Sequence, residues 1–163
     1  MHQNAARVQE ALRASGSSAK IVELADSTRT SAEAAAAIGV DVGQIAKSLV
    51  FLADGEPVLV VLSGVDRLDT ERLREYLAAG CVTRADAELV RDVTGFPIGG
   101  VSPVGHAGTV RIVLDRALAA YPVVWAAAGT PHAVFPTTFS ELVAVTGAET
   151  ADVREDPPLA ATS

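Results

Sequence analysis

One cysteine, Cys81, serves the whole chain of 163 residues, so an internal disulfide framework is excluded and a reducing compartment is the natural setting. The segment Ala79-Gly80-Cys81-Val82 reads as the apolar start of a strand, which places Cys81 in the core as a small hydrophobe, not at the surface as a nucleophile. Long hydrophobic runs are lacking too. Leu49 to Leu52 and Val58 to Leu62 fall far short of the roughly 20 residues that span a bilayer, so no membrane partner is expected. Met1 to Arg7 carries neither the basic start nor the apolar stretch of a secretory signal, and a cytoplasmic protein is expected. Positive charge is scarce: 13 Lys and Arg against 20 Asp and Glu leave a net charge of −7. Such a chain repels phosphate at long range, which excludes DNA and sequence-blind nucleic-acid binding and leaves room only for a local contact. His106, His132 and Cys81 never meet at metal-ligand spacing, so no metal is expected.

What is present reads as one domain over 1–153, with a disordered tail over 154–163. Ala5, Val8, Ala11 and Leu12 share a helical face behind a candidate cap at Asn4. Ala19 to Leu24 reads as a short strand, and Asp26 to Arg29 is too polar for anything but surface. Thr30 and Glu33 stand at capping-box spacing before a helix that should stop at Gly39. Ser48 to Leu52 and Val58 to Ser63 flank Asp54-Gly55, a strong hairpin signal. Asp69 to Ala79 and Asp86 to Val93 read as capped helices. Thr109 to Leu114, Val123 to Ala128 and Ala133 to Phe135 follow as strands, and a helix from Ser140 ends at Gly147. Hairpin strands interspersed with helices, without strict βαβ alternation, indicate an α+β fold with a mixed, largely antiparallel sheet.

Three features bear on chemistry. Lys47 is one of two lysines, the other being Lys20, while arginine supplies the remaining 11 basic residues. It sits at the mouth of a buried strand, where a compact ammonium suits a polar site and a solvated, snorkelling lysine is the plain alternative. Gly95 to His106 packs four glycines and two prolines into twelve residues, a shape suited to aiming backbone N–H groups at a carbonyl or oxyanion, or to a simple connection. Gly129-Thr130-Pro131-His132 is a tight turn carrying a hydroxyl and an imidazole, able to rim the same pocket or merely to turn the chain.

Taken in order, Ser27-Thr28-Arg29-Thr30, the alanine-rich helix, Ile45-Ala46-Lys47-Ser48-Leu49-Val50-Phe51, Gly99-Gly100-Val101-Ser102-Pro103-Val104-Gly105 and Gly129-Thr130-Pro131-His132 resemble the YbaK/prolyl-tRNA editing family. The resemblance runs from about Ala5 to Val153. It implies a mixed sheet closing toward a barrel, a trans-acting deacylase of mischarged aminoacyl-tRNA, and no metal or organic cofactor. Its partners would be the acceptor end of mischarged tRNA and an aminoacyl-tRNA synthetase. By resemblance, Lys47 matches the family's essential lysine, and Gly99 to Pro103 its Gly-x-x-x-Pro loop. Lys47, Gly99 and Gly100 would be catalytic, with Val101, Ser102, Pro103, Gly105, His106, Gly129, Thr130 and His132 binding substrate. Loop amides would hold the ester carbonyl, the lysine would orient the terminal adenosine, and water would attack. One departure stands out: Pro131-His132-Ala133-Val134 replaces the Arg-Gly-Leu-Asp of the subgroup resembling cysteinyl-tRNA(Pro) deacylases, which leaves the edited amino acid open. The reading from another class is a non-catalytic module that binds a nucleotide, an aminoacyl-adenylate or a synthetase.

Overall fold

The computed structural model describes residues 1–157. It opens with helix α1 (Gln3–Ala14), whose Ala5, Val8 and Leu12 are fully buried, as their spacing dictates. The cap is His2, not Asn4: the His2 ring accepts from the Asn4 amide, and the Asn4 side chain is left to donate to Gly129 O at 3.0 Å. The strand expected over Ala19 to Leu24 shrinks to β1 (Val22–Glu23), because the Gln9 side chain takes both Ala19 O and Ile21 N. Helix α2 (Ser31–Ile38) starts at Thr30, whose hydroxyl accepts from the Glu33 amide, and stops at left-handed Gly39, as expected.

Strands β2 (Ile45–Ala53) and β3 (Glu56–Ser63) form the expected hairpin. Asp54 and Gly55 both have positive φ, 49° and 85°, the requirement of a type I′ turn. Helix α3 (Thr70–Leu77) follows behind its Asp69 cap, then β4 (Val82–Arg84) and helix α4 (Ala87–Thr94) behind Asp86. After a long loop come β5 (Arg111–Asp115), β6 (Val124–Ala127), β7 (Ala133–Thr137), α5 (Phe139–Thr146) and β8 (Glu149–Ala151). The cap of α5 is Thr138, two residues earlier than Ser140. Cys81 is exposed, contrary to expectation: it lies in the connection between α3 and β4, where the Asp54 carboxylate accepts its amide at 2.9 Å. Arg154 to Asp156 are not tail but are held against the body by backbone and side-chain bonds; 158–163 lie outside the described residues.

The sheet runs β1-β7-β6-β2-β3-β5-β8, with β4 also pairing with β2. It is mixed, since β2–β6, β3–β5 and β5–β8 are parallel and the remaining pairs antiparallel. Helices and long crossovers between β3 and β5, and between β2 and β6, let the chain return in the same direction. The sheet is open, with β1 and β8 at its two ends. β3 is buried on both faces, which explains its unbroken apolar run. Leu59 and Val61 join α1, Phe96 and α5 in one cluster, while Val58, Val60 and Leu62 join Leu73 of α3 in another.

One irregularity positions the site. The outer edge of β2 is shared: β6 pairs with Ile45 and Ala46, and β4 with Phe51 to Ala53. Between them the ladder is interrupted, and Lys47, Ser48 and Leu49 face a gap.

Candidate active site

The gap is a cavity of about 250 Å³. Lys47, Ser48 and Leu49 form one wall, Gly99 and Val101 another, and Trp125 with Ala126 a third. The α2 approach, Thr28 to Ser31, closes the remaining side. Strand alternation sends Lys47 and Leu49 toward the α3 face and Ser48 toward the loop face; both reach the cavity because this edge of β2 is unpaired. The Lys47 ammonium donates to Asp66 O in the loop between β3 and α3, which leaves two of its three protons for a ligand. Burial pushes the ammonium below the ordinary lysine pKa; Arg67 and Arg84 push the same way, and Asp66 opposes them.

The glycine loop is braced from α1. Arg7 lies over the buried Phe96 ring at 4.6 Å and donates to Gly105 O at 2.9 Å. The Phe96 amide donates to the Thr94 hydroxyl at 3.1 Å. Pro97 to Gly100 is a closed turn, with Gly100 N donating to Pro97 O at 2.9 Å. The Gly100 amide is therefore engaged, and Gly100 shapes the loop where it was expected to serve the reaction directly. The amides of Ile98, Gly99 and Val101, residues that line this wall, donate to no group among the described residues. Gly99 has φ 88°, and an added Cβ would run into the Arg29 side chain.

Of the residues expected to bind substrate, only Val101 lines this cavity. Ser102 is fully buried and structural: its hydroxyl accepts from Val104 N at 3.1 Å, and its carbonyl accepts from His106 Nε2 at 2.6 Å. Burial keeps the His106 pKa below the ordinary histidine value; the bond to Ser102 opposes this and Arg7 adds to it. Pro103, Gly105 and His106 line a different hollow beside α1. Gly129, Thr130 and His132 line another, beyond the contact between Gly100 and Thr130. The order of these motifs in the sequence does not reveal that Gly100 and Thr130 form a partition between the cavity and the turn.

Sequence reading missed several cavity residues. Thr28, assigned to the surface, is 6% exposed and donates to Pro131 O at 2.9 Å, which ties the α2 approach to the 129–132 turn. Ser48 Oγ is a buried polar atom without a hydrogen-bond partner among the described residues. Arg29 and Arg84 join Lys47 at the cavity, and no acidic side chain lines it. A protein of net charge −7 thus presents a locally cationic opening. Among the described residues no cluster of His, Cys, Asp or Glu has metal-ligand geometry, and no helix is long and apolar enough to cross a membrane.

The sequence profile of the aminoacyl-tRNA editing domain matches residues 25–145. A proline–tRNA ligase of Streptococcus pyogenes is 42% identical over 88 residues, which are 54% of this chain and 14% of the ligase. A crystal structure of a candidate trans-editing enzyme for prolyl tRNA synthetase superposes with a TM-score of 0.89 at 47% identity, covering 95% of this chain and 99% of that one. A hypothetical protein of known crystal structure is 36% identical, with a TM-score of 0.86 over 91% of this chain and 99% of that one. With the profile covering most of its length, the chain belongs to the aminoacyl-tRNA editing domain family.

Proposed function

We propose that this chain hydrolyses the ester bond of mischarged aminoacyl-tRNA, acting in trans on the acceptor end in the cytoplasm. The observation that carries the reading is that Lys47 and the loop residues Gly99 and Val101, whose amides donate to no group among the described residues, line one cavity. An aminoacyl ester is already activated, so positioning and charge are the main demands on the protein. Water attacks the carbonyl carbon, negative charge develops on the carbonyl oxygen, the bond to the ribose oxygen breaks, and a proton returns to that oxygen. Two rigidly held amides stabilise the developing charge, each worth on the order of 10²–10³-fold when well aimed. No metal or organic cofactor enters these steps.

The cationic opening answers the difficulty posed by the acidic chain. Lys47, Arg29 and Arg84 offer attraction where the acceptor end would enter, while the rest of the surface repels a polyanion. Specificity then rests on the terminal nucleotide and its amino acid, and a synthetase, which for the structural relative above is prolyl-tRNA synthetase, would deliver the substrate.

The test is a deacylation panel beginning with Ala- and Cys-tRNA(Pro) and continuing with Ser- and Thr-linked species, with Lys47→Ala beside the wild type. Amino-acid release that depends on Lys47 supports the reading and names the substrate. Binding of tRNA or nucleotide without release from any species would replace it with the binding module.

A further inference from the structure

Val153 to Asp156 form a strap that lies beyond the family-matched stretch, which ends at residue 145. Its root is fixed in the interior: Asp115, 1% exposed, accepts from Val153 N at 2.9 Å and from Arg154 N at 3.2 Å. From that root the strap closes over the loop between β3 and α3. Asp69 N donates to Val153 O at 2.8 Å and Glu155 N to Arg67 O at 2.7 Å. Arg72 donates to Arg154 O at 2.7 Å. Arg154 Nη1 stands 3.2 and 3.3 Å from the two carboxylate oxygens of Asp66. The Asp66 carbonyl is the group that receives the Lys47 ammonium.

The loop has one apolar anchor, the half-buried Leu68 packed against the cluster around Leu73, while Val65 at its crest is 59% exposed. Beyond that anchor such a loop depends on its polar ties, and the strap supplies ties to Asp66, Arg67 and Asp69. We propose that Arg154 is a positioning residue for Lys47, fixing the Asp66 carbonyl so that the ammonium is held at the edge of the cavity. The inference rests on the deacylase reading for its effect on activity, but the coupling between Arg154 and Lys47 exists whether or not the ester is the substrate. The charged groups around the ammonium are Asp66 and Arg67 of the loop and Arg84 of β4, with Arg29 on the opposite wall and Arg154 behind Asp66.

Because the chain has two lysines, Lys20 and Lys47, lysine labelled with carbon-13 at Cε gives two NMR signals, and Lys20→Arg assigns them. In the wild type the Lys47 signal titrates below the ordinary lysine range. In Arg154→Ala the Asp66 carboxylate, no longer neutralised by the guanidinium, stabilises the ammonium, so the titration moves up toward the ordinary value. Over the same change kcat falls on the order of 10- to 100-fold with KM little altered, as expected of a misplaced group. Arg154→Lys, which keeps the charge, restores both readings in large part. Arg154→Gln, closer in length and polarity, serves where the alanine variant does not fold. An unchanged Lys47 titration in a folded Arg154→Ala or Arg154→Gln protein overturns the proposal. Absence of deacylation in the wild type removes the proposed function instead, and the titration still decides whether Arg154 positions Lys47.

Discussion

Gly100 and Thr130 meet backbone to backbone: a Cβ on Gly100 would fall 2.7, 2.8 and 2.9 Å from Thr130 C, Cα and N. Neither backbone has freedom to retreat, because Gly100 closes its own turn on Pro97 and the 129–132 turn is tied to Thr28 and Asn4. Gly100→Ala should therefore cost about 1–3 kcal/mol of stability, the usual range for overpacking. It should also shift the neighbouring Gly99 and Val101 amides and reduce deacylation. Urea unfolding and single-turnover deacylation of the same preparation check both effects; a variant of full stability and activity would show that the partition is compliant.

Ser48 invites the opposite expectation for stability. Its buried hydroxyl lacks a partner, and an unsatisfied buried polar group costs about 1–3 kcal/mol. Ser48→Ala should leave stability unchanged or raise it. If a substrate group supplies the missing partner, KM should rise on the order of tenfold, the equivalent of one ordinary hydrogen bond. A thermal melt and a KM measurement separate the two effects. Raised stability with an unchanged KM would mean that the substrate does not reach Ser48.

His106 gives the loop a pH dependence whose sign is fixed by burial. Its folded pKa lies below the unfolded value of about 6.5, so as pH falls the unfolded chain takes up the proton first. The stability associated with neutral His106 is complete above the unfolded value and is lost as pH falls toward the folded one. Unfolding free energies at about pH 7.5 and about pH 5.5 should differ more for the wild type than for His106→Gln, and equal differences would assign the acid sensitivity to other groups.

Much of the fold was legible because local chemistry agreed with tertiary packing. The Thr30 cap, the Gly39 stop and the Asp54-Gly55 hairpin are each fixed by neighbours in sequence. What escaped depends on distant residues. Asn4 resembles a cap, but Gly129 claims its side chain. Cys81 resembles a core residue, yet the Asp54 carboxylate holds its backbone in an exposed connection. β8 is three residues long and paired with a distant strand, so no periodicity announces it. At the site, Lys47 and the glycine loop were visible as residue types, whereas Arg84 and Trp125 reach the cavity only through strand pairing on β2.

Lys47 should also leave its mark on the alkaline side of the rate profile. Burial, reinforced by Arg67 and Arg84 and opposed by Asp66, lowers its pKa, so the charge is lost before pH reaches the about 10.4 of an ordinary lysine. Deacylation that uses the ammonium falls as pH rises through that lowered value, once spontaneous ester hydrolysis is subtracted. Lys47→Ala should lose on the order of 10²–10³-fold at neutral pH, the scale of one well-placed charge donor. Lys47→Arg keeps a positive charge throughout this range, but its planar fork is a poor substitute for a compact ammonium bonded to Asp66 O. The arginine variant should therefore be slow and lack the alkaline fall. Were it to show the same fall as the wild type, the titrating group would be something other than Lys47, and the lysine's part in the reaction would reduce to its shape.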